Sequence, residues 1–139
     1  MSKPVRLADW KSRLGLYVAG RFGQPFRPGE FDCALFAAGA VEAMTGVDFA
    51  APFKGRYTSL EEGIEALRAE GHSDHLALIA ATFEEVHPAF AQPGDIALLD
   101  GGDHAAIGIV QGEHVYALRS DGRGVGLAPR DAMQRAWRV

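Results

Sequence analysis

The spacing of apolar residues changes partway along the chain. In residues 5–22, Val5, Leu7, Trp10, Leu14, Tyr17 and Val18 recur at steps of three and four, with Phe22 beyond, which predicts an amphipathic helix. Gly23-Gln24-Pro25 and Pro28-Gly29 then break the chain. Asp32 is a good N-cap, and the Pro-free run from Cys33 to Met44, closed by Thr45-Gly46, predicts a second helix. Its many alanines imply close packing on both sides. Residues 47–58 read as a loop. Ser59 followed by Glu62 is a capping box that opens a third helix to about Glu70, and Asp74 caps a fourth through Ala81.

After the Pro93-Gly94-Asp95 turn the pattern shortens. Apolar runs at 96–99, 105–110, 115–118 and 125–127 are separated by Asp100-Gly101-Gly102, Gln111-Gly112-Glu113 and Asp121-Gly122-Arg123-Gly124. That alternation of short runs and turn residues predicts a β-meander. The tail, 131–139, is expected as a last helical turn or an edge strand. Helices first and strands second within 139 residues predict a single α+β domain, N-terminal helices packed on a C-terminal antiparallel β-sheet.

Composition narrows the function classes. The formal net charge is −4 and no basic stripe is present, which argues against nucleic acid and against an anionic membrane as partners. No run approaches the roughly 18 apolar residues of a membrane span. Asp9, Lys11 and Arg13 interrupt any signal-peptide core, so the expected product is cytoplasmic as synthesised. With one cysteine, no intramolecular disulfide can form.

That cysteine has two readings. A lone Cys among alanines on a helix is ordinarily an inert core residue. At the first position of a helix, however, unpaired N–H groups and the positive end of the dipole lower a thiol pKa from its ordinary value of about 8.5. The same N–H groups suit a developing oxyanion. The Asp32 carboxylate opposes this unless it folds over as a cap. A thiol nucleophile needs a base, and the histidines are His72, His75, His87, His104 and His114. His104, opening the apolar run HAAIGIV after a Gly-rich turn, is the best placed. Asp100, Asp103 and His104 offer oxygen and imidazole ligands, but Asp-Gly-Gly-Asp reads as a turn and the spacing fits no ligand pattern, so no metal is expected.

FDCALF at 31–36, PGDIALL at 93–99 and HAAIGIVQGEHVYAL at 104–118 resemble, in order, the three signature blocks of the NlpC/P60 cysteine peptidases. Pro25-Phe26, Phe31-Asp32-Cys33, Thr45-Gly46-Val47-Asp48 and Ala136-Trp137-Arg138 resemble the short phage- and prophage-associated branch of that family. The resemblance implies a papain-like α+β fold, with Cys33 as nucleophile and His104 as general base and acid. It implies bacterial cell-wall peptides as substrate, no cofactor, phage tail proteins as partners and a place in the virion tail. Asp32, Gln24 and Phe26 fall at the substrate or oxyanion side of such a site.

Three departures accompany it. Phe26 stands where the family carries a hydroxyl-bearing Tyr, with Gln24 nearby. Ala34-Leu35 replaces the usual small pair after the Cys. The residue that orients the imidazole falls on Tyr116, twelve residues beyond His104, or on His114 two residues earlier on the same face. The alternative function is a structural part of a phage tail or tip that keeps the fold with weak or no hydrolysis. Thioester acyl transfer to lipids is disfavoured because no membrane-binding stretch is present.

Overall fold

Asp32 starts the central helix as its sequence predicts. Its backbone is extended (φ −130°, ψ 178°) and its side chain accepts from the Leu35 N–H. This is seen in a computed structural model, which describes residues 3–100 and 106–139. Helix α2 (Cys33–Thr45) runs from this cap to Gly46, whose left-handed φ of 82° lets its N–H close onto the Glu42 carbonyl at 2.7 Å.

Helix α1 (Trp10–Ala19) is shorter than the 5–22 periodicity predicts. Residues ahead of it form a strap across the far end of α2. Leu7 donates its N–H to the Met44 carbonyl at 2.8 Å, and Arg6 reaches the Val139 and Pro93 carbonyls and Asp95. These tertiary bonds outcompete a first helical turn, and Val5, which periodicity places on the buried stripe, is 80% exposed. Against α2, α1 packs closely: the Tyr17 hydroxyl donates to the Phe36 carbonyl at 2.9 Å. A Cβ on Gly39 would lie 2.2 Å from that hydroxyl, which explains the small residue there.

Helix α3 (Leu60–Ala69) and helix α4 (His75–Thr82) begin at the predicted caps. Ser59 accepts from the Glu62 N–H and Asp74 from the Ala77 N–H. The box at α3 is a variant, because the Glu62 carboxylate accepts from the Thr58 and Ser59 hydroxyls.

Six strands follow: β1 (Glu84–Val86), β2 (Ile96–Leu99), β3 (Ala106–Val110), β4 (His114–Leu118), β5 (Val125–Pro129) and β6 (Met133–Arg138). They form one antiparallel sheet in the order β1-β6-β2-β3-β4-β5. The β2–β5 meander matches the predicted one. The tail is a strand but not an edge. β6 returns across the sheet to lie between β1 and β2, because Ala136 and Trp137, both fully buried, need cover on each face. The edge on that side is β1, which no apolar run announces. Its Glu85 pairs with Trp137 in register and takes two hydrogen bonds from the Arg135 guanidinium, at 3.0 and 2.7 Å.

Alternation along the strands sends Ile96, Leu98, Ile107, Ile109 and Trp137 to the face covered by α1 and α2. There they meet Leu14, Val18, Phe36, Val41 and Met44. Ala97, Leu99, Val110, Val115 and Ala136 form a smaller cluster on the other face. The predicted α+β class therefore holds, with four α-helices among the described residues. Among the described residues, no helix is long and apolar enough to cross a membrane.

Candidate functional site around Cys33

The capping geometry fixes where the cysteine points. Asp32 is 3% exposed, and its carboxylate accepts three hydrogen bonds among the described residues. Oδ1 accepts from the Leu35 N–H at 2.9 Å, while Oδ2 accepts from the Gly29 N–H at 3.1 Å and from the Tyr57 hydroxyl. Asp32 thus caps α2 and ties the Gly29 turn and Tyr57 to it. Cys33, the next residue, is partly buried and packs against the core formed by α2 and β3. The backbone N–H groups of Ile107 on β3, of Ala34 and of Cys33 itself lie near enough to favour its thiolate.

These donors favour a thiolate, yet they are outweighed. Burial is the largest influence and pushes the Cys33 thiol up, and the neighbouring Asp32 charge pushes it further. The expectation that a helix start would lower this thiol is corrected: a sulfur pressed onto a sheet loses more hydration than the helix end returns.

Tyr57 is the residue that sequence reasoning missed. It sits in the stretch read as a loop, and no periodicity links it to Asp32, which lies 25 positions away. Only an aromatic with a polar tip, two residues before the Ser59 cap, hinted at a function. Its ring is buried with Leu35, Phe53 and Leu67. Burial, the bond to Asp32, and the charges of Asp32 and of Cys33 all raise its pKa well above the ordinary phenol value. Tyr57 thus brings a phenol hydroxyl to the Asp32 carboxylate at the start of α2.

Phe26 is 42% exposed, and its N–H donates to the Gly122 carbonyl at 3.0 Å. Half-buried Gln24 lies in the same contact, because the 22–26 segment is seated against the β4–β5 turn. Gly124 makes this seat possible: a Cβ there would fall 1.9 Å from the Phe22 carbonyl oxygen.

His104 and Asp103 lie outside the described residues. His104 precedes Ile107 by three positions in the chain, ahead of the start of β3. Tyr116 and His114 occupy the helix-facing register of β4, Tyr116 opposite Ile109 and His114 opposite Pro129. Because β3 and β4 are antiparallel, both residues sit toward the C-terminal end of β3. His114 is exposed, and Tyr116 instead lines a groove of about 310 Å³ with Trp10, Leu14, Pro93 and Gln111.

Of the remaining histidines, His75 is the notable one. It opens α4, and its Nε2 is buried without a hydrogen-bond partner. Burial lowers its pKa, opposed by the charges of Asp74 and Asp32. Among the described residues, no group of three or more His, Cys, Asp or Glu side chains is placed to hold a metal ion.

Residues 5–139 match the model of a protein family described as a domain of unknown function, DUF6950. No curated protein matches the chain.

Proposed function

The chain belongs to the DUF6950 family along residues 5–139, and for this member we propose the activity of a cysteine peptidase or amidase of the NlpC/P60 kind, with a papain-like fold, acting on bacterial cell-wall peptides. The observation that carries the reading is the placement of Cys33. A helix start presents its sulfur to the Ile107 N–H, on the strand that His104 precedes in the chain. The order of the elements, a capped nucleophile helix followed by a meander, fits the three blocks of the resemblance.

In this reading Cys33 Sγ attacks the carbonyl carbon of an amide. The raised thiol means that a pre-formed thiolate is scarce, so His104 takes the proton as the S–C bond forms. The backbone N–H groups around the sulfur stabilise the developing oxyanion. The C–N bond then breaks, His104 protonates the leaving amine, and water hydrolyses the thioester. No metal or organic cofactor takes part. The domain works from a phage or prophage tail, with tail proteins as partners.

A second reading has its own support. The burial that pushes the thiol up also suits a fold kept as a building part of a tail, without hydrolysis. The pH dependence of Cys33 alkylation by iodoacetamide, in the wild type and in His104→Ala, separates the two. The enzyme reading expects an alkylation midpoint that shifts when His104 is removed. Slow labelling with the same midpoint in both proteins contradicts it and favours the building part.

A further inference from the structure

Tyr57 is aimed at Asp32 from three sides. Its ring lies against α3, where a Cβ on Gly63 would come within 3.1 Å of it. Its backbone is clamped to the turn before the nucleophile. Gly29, at φ 83°, lies so close that a Cβ there would fall 1.9 Å from the Tyr57 carbonyl oxygen, and the Gly55 N–H donates to the Gly29 carbonyl at 2.9 Å. Its hydroxyl donates to Asp32 Oδ2, which also accepts from the Gly29 N–H. One carboxylate thus joins the helix start, the 27–31 turn and the 53–57 loop.

We propose that Tyr57 is a positioning residue of the Cys33 site: its hydroxyl holds Asp32 back as the helix cap and draws the carboxylate's charge away from the sulfur. The inference rests on Cys33 being the nucleophile of the proposed reaction. Asp32 is the residue next to Cys33, and its charge disfavours the thiolate. A donor on Oδ2 offsets part of that charge. A phenylalanine at 57 keeps the ring against Gly63 but removes the proton, leaving Oδ2 with the Gly29 N–H.

The test is the pH midpoint of Cys33 alkylation in Tyr57→Phe, Asp32→Asn and the double variant, with Phe53→Leu as a control that loosens the same loop and leaves the hydroxyl. The expected result is an upward shift of about half a pH unit or more in Tyr57→Phe, roughly a threefold slower reaction at fixed pH. No shift is expected in Phe53→Leu, a downward shift in Asp32→Asn, and no further effect of Tyr57→Phe once Asp32 is neutral. An unchanged midpoint in Tyr57→Phe, or an equal shift in Phe53→Leu, overturns the proposal. So does the same Tyr57→Phe shift with and without the Asp32 charge. If Asp32→Asn does not fold, the comparison of Tyr57→Phe with Phe53→Leu still decides. Alkylation reads the thiol without turnover, so failure to cleave wall peptide counts against the proposed reaction alone.

Discussion

The backbone N–H of Ile107 on β3 lies near enough to Cys33 to favour its thiolate, and both residues pack into the main core, so the first turn of α2 and the start of β3 make one wall. Ile107 is fully buried, and both elements belong to the main core. The thiol is therefore placed by packing rather than by a surface loop. Such packing gives a reactive group the fixed geometry that attack on a carbonyl needs.

The cap of α2 is the most sensitive point of this wall. Asp32→Ala removes a cap and leaves the Gly29 N–H and the Tyr57 hydroxyl without their acceptor. A loss of about 2–4 kcal/mol is expected, adding a typical cap to buried unmet donors. Urea denaturation of the variant checks it, and a loss below about 1 kcal/mol would mean that water replaces the carboxylate.

The N-terminal strap depends on an ion pair whose carboxylate is buried and whose guanidinium is partly exposed. Asp95 is fully buried, accepts from Arg6 at 3.0 Å, and also accepts from the Gln92 and Val139 N–H groups. Arg6→Ala leaves that carboxylate without its closest cation and is expected to cost about 2–4 kcal/mol. Thermal unfolding measures it. Arg6→Met, which restores bulk without charge, is expected to recover little.

His75 predicts an acid-side loss of stability. Its folded pKa lies below the ordinary value of 6.5, so below that pH the unfolded chain takes up the proton more readily. Its contribution is therefore present above about pH 6.5 and lost as pH falls toward the folded value. His75→Leu is expected to flatten stability between pH 6.5 and 5.5. Equal slopes for variant and wild type in chemical denaturation would refute this.

The α1–α2 contact predicts a reversal of helix propensity. Ala is worth about 1 kcal/mol over Gly inside a helix, but a Cβ on Gly39 meets the Tyr17 ring and hydroxyl at 2.2–2.8 Å. Gly39→Ala is expected to destabilise by about 1–3 kcal/mol. In a Tyr17→Ala background the same change is expected to be neutral or stabilising, which a double-mutant cycle measures.

Local signals in the chain foretold the helix caps and the meander, because caps and strand alternation are written within a few residues of where they act. Asp32, Ser59 and Asp74 all cap as their spacing implies. Long-range partners left no such trace. Val5 left its predicted stripe because Arg6 bonds to residues nearly 90 positions or more away. β1 exists because β6 pairs with it, and β6 is interior because Trp137 requires cover. At the site, Cys33 and its cap were legible, while Tyr57 and the upward push on the thiol arise from tertiary burial.

The most direct measurement is mass spectrometry of bacterial cell-wall peptides after incubation with the wild type and with Cys33→Ser. The account predicts fragments bearing a new amine and a new carboxylate, formed by the wild type and absent with Cys33→Ser. Intact peptides with a folded wild type, or the same fragments from both proteins, would contradict Cys33 as the nucleophile.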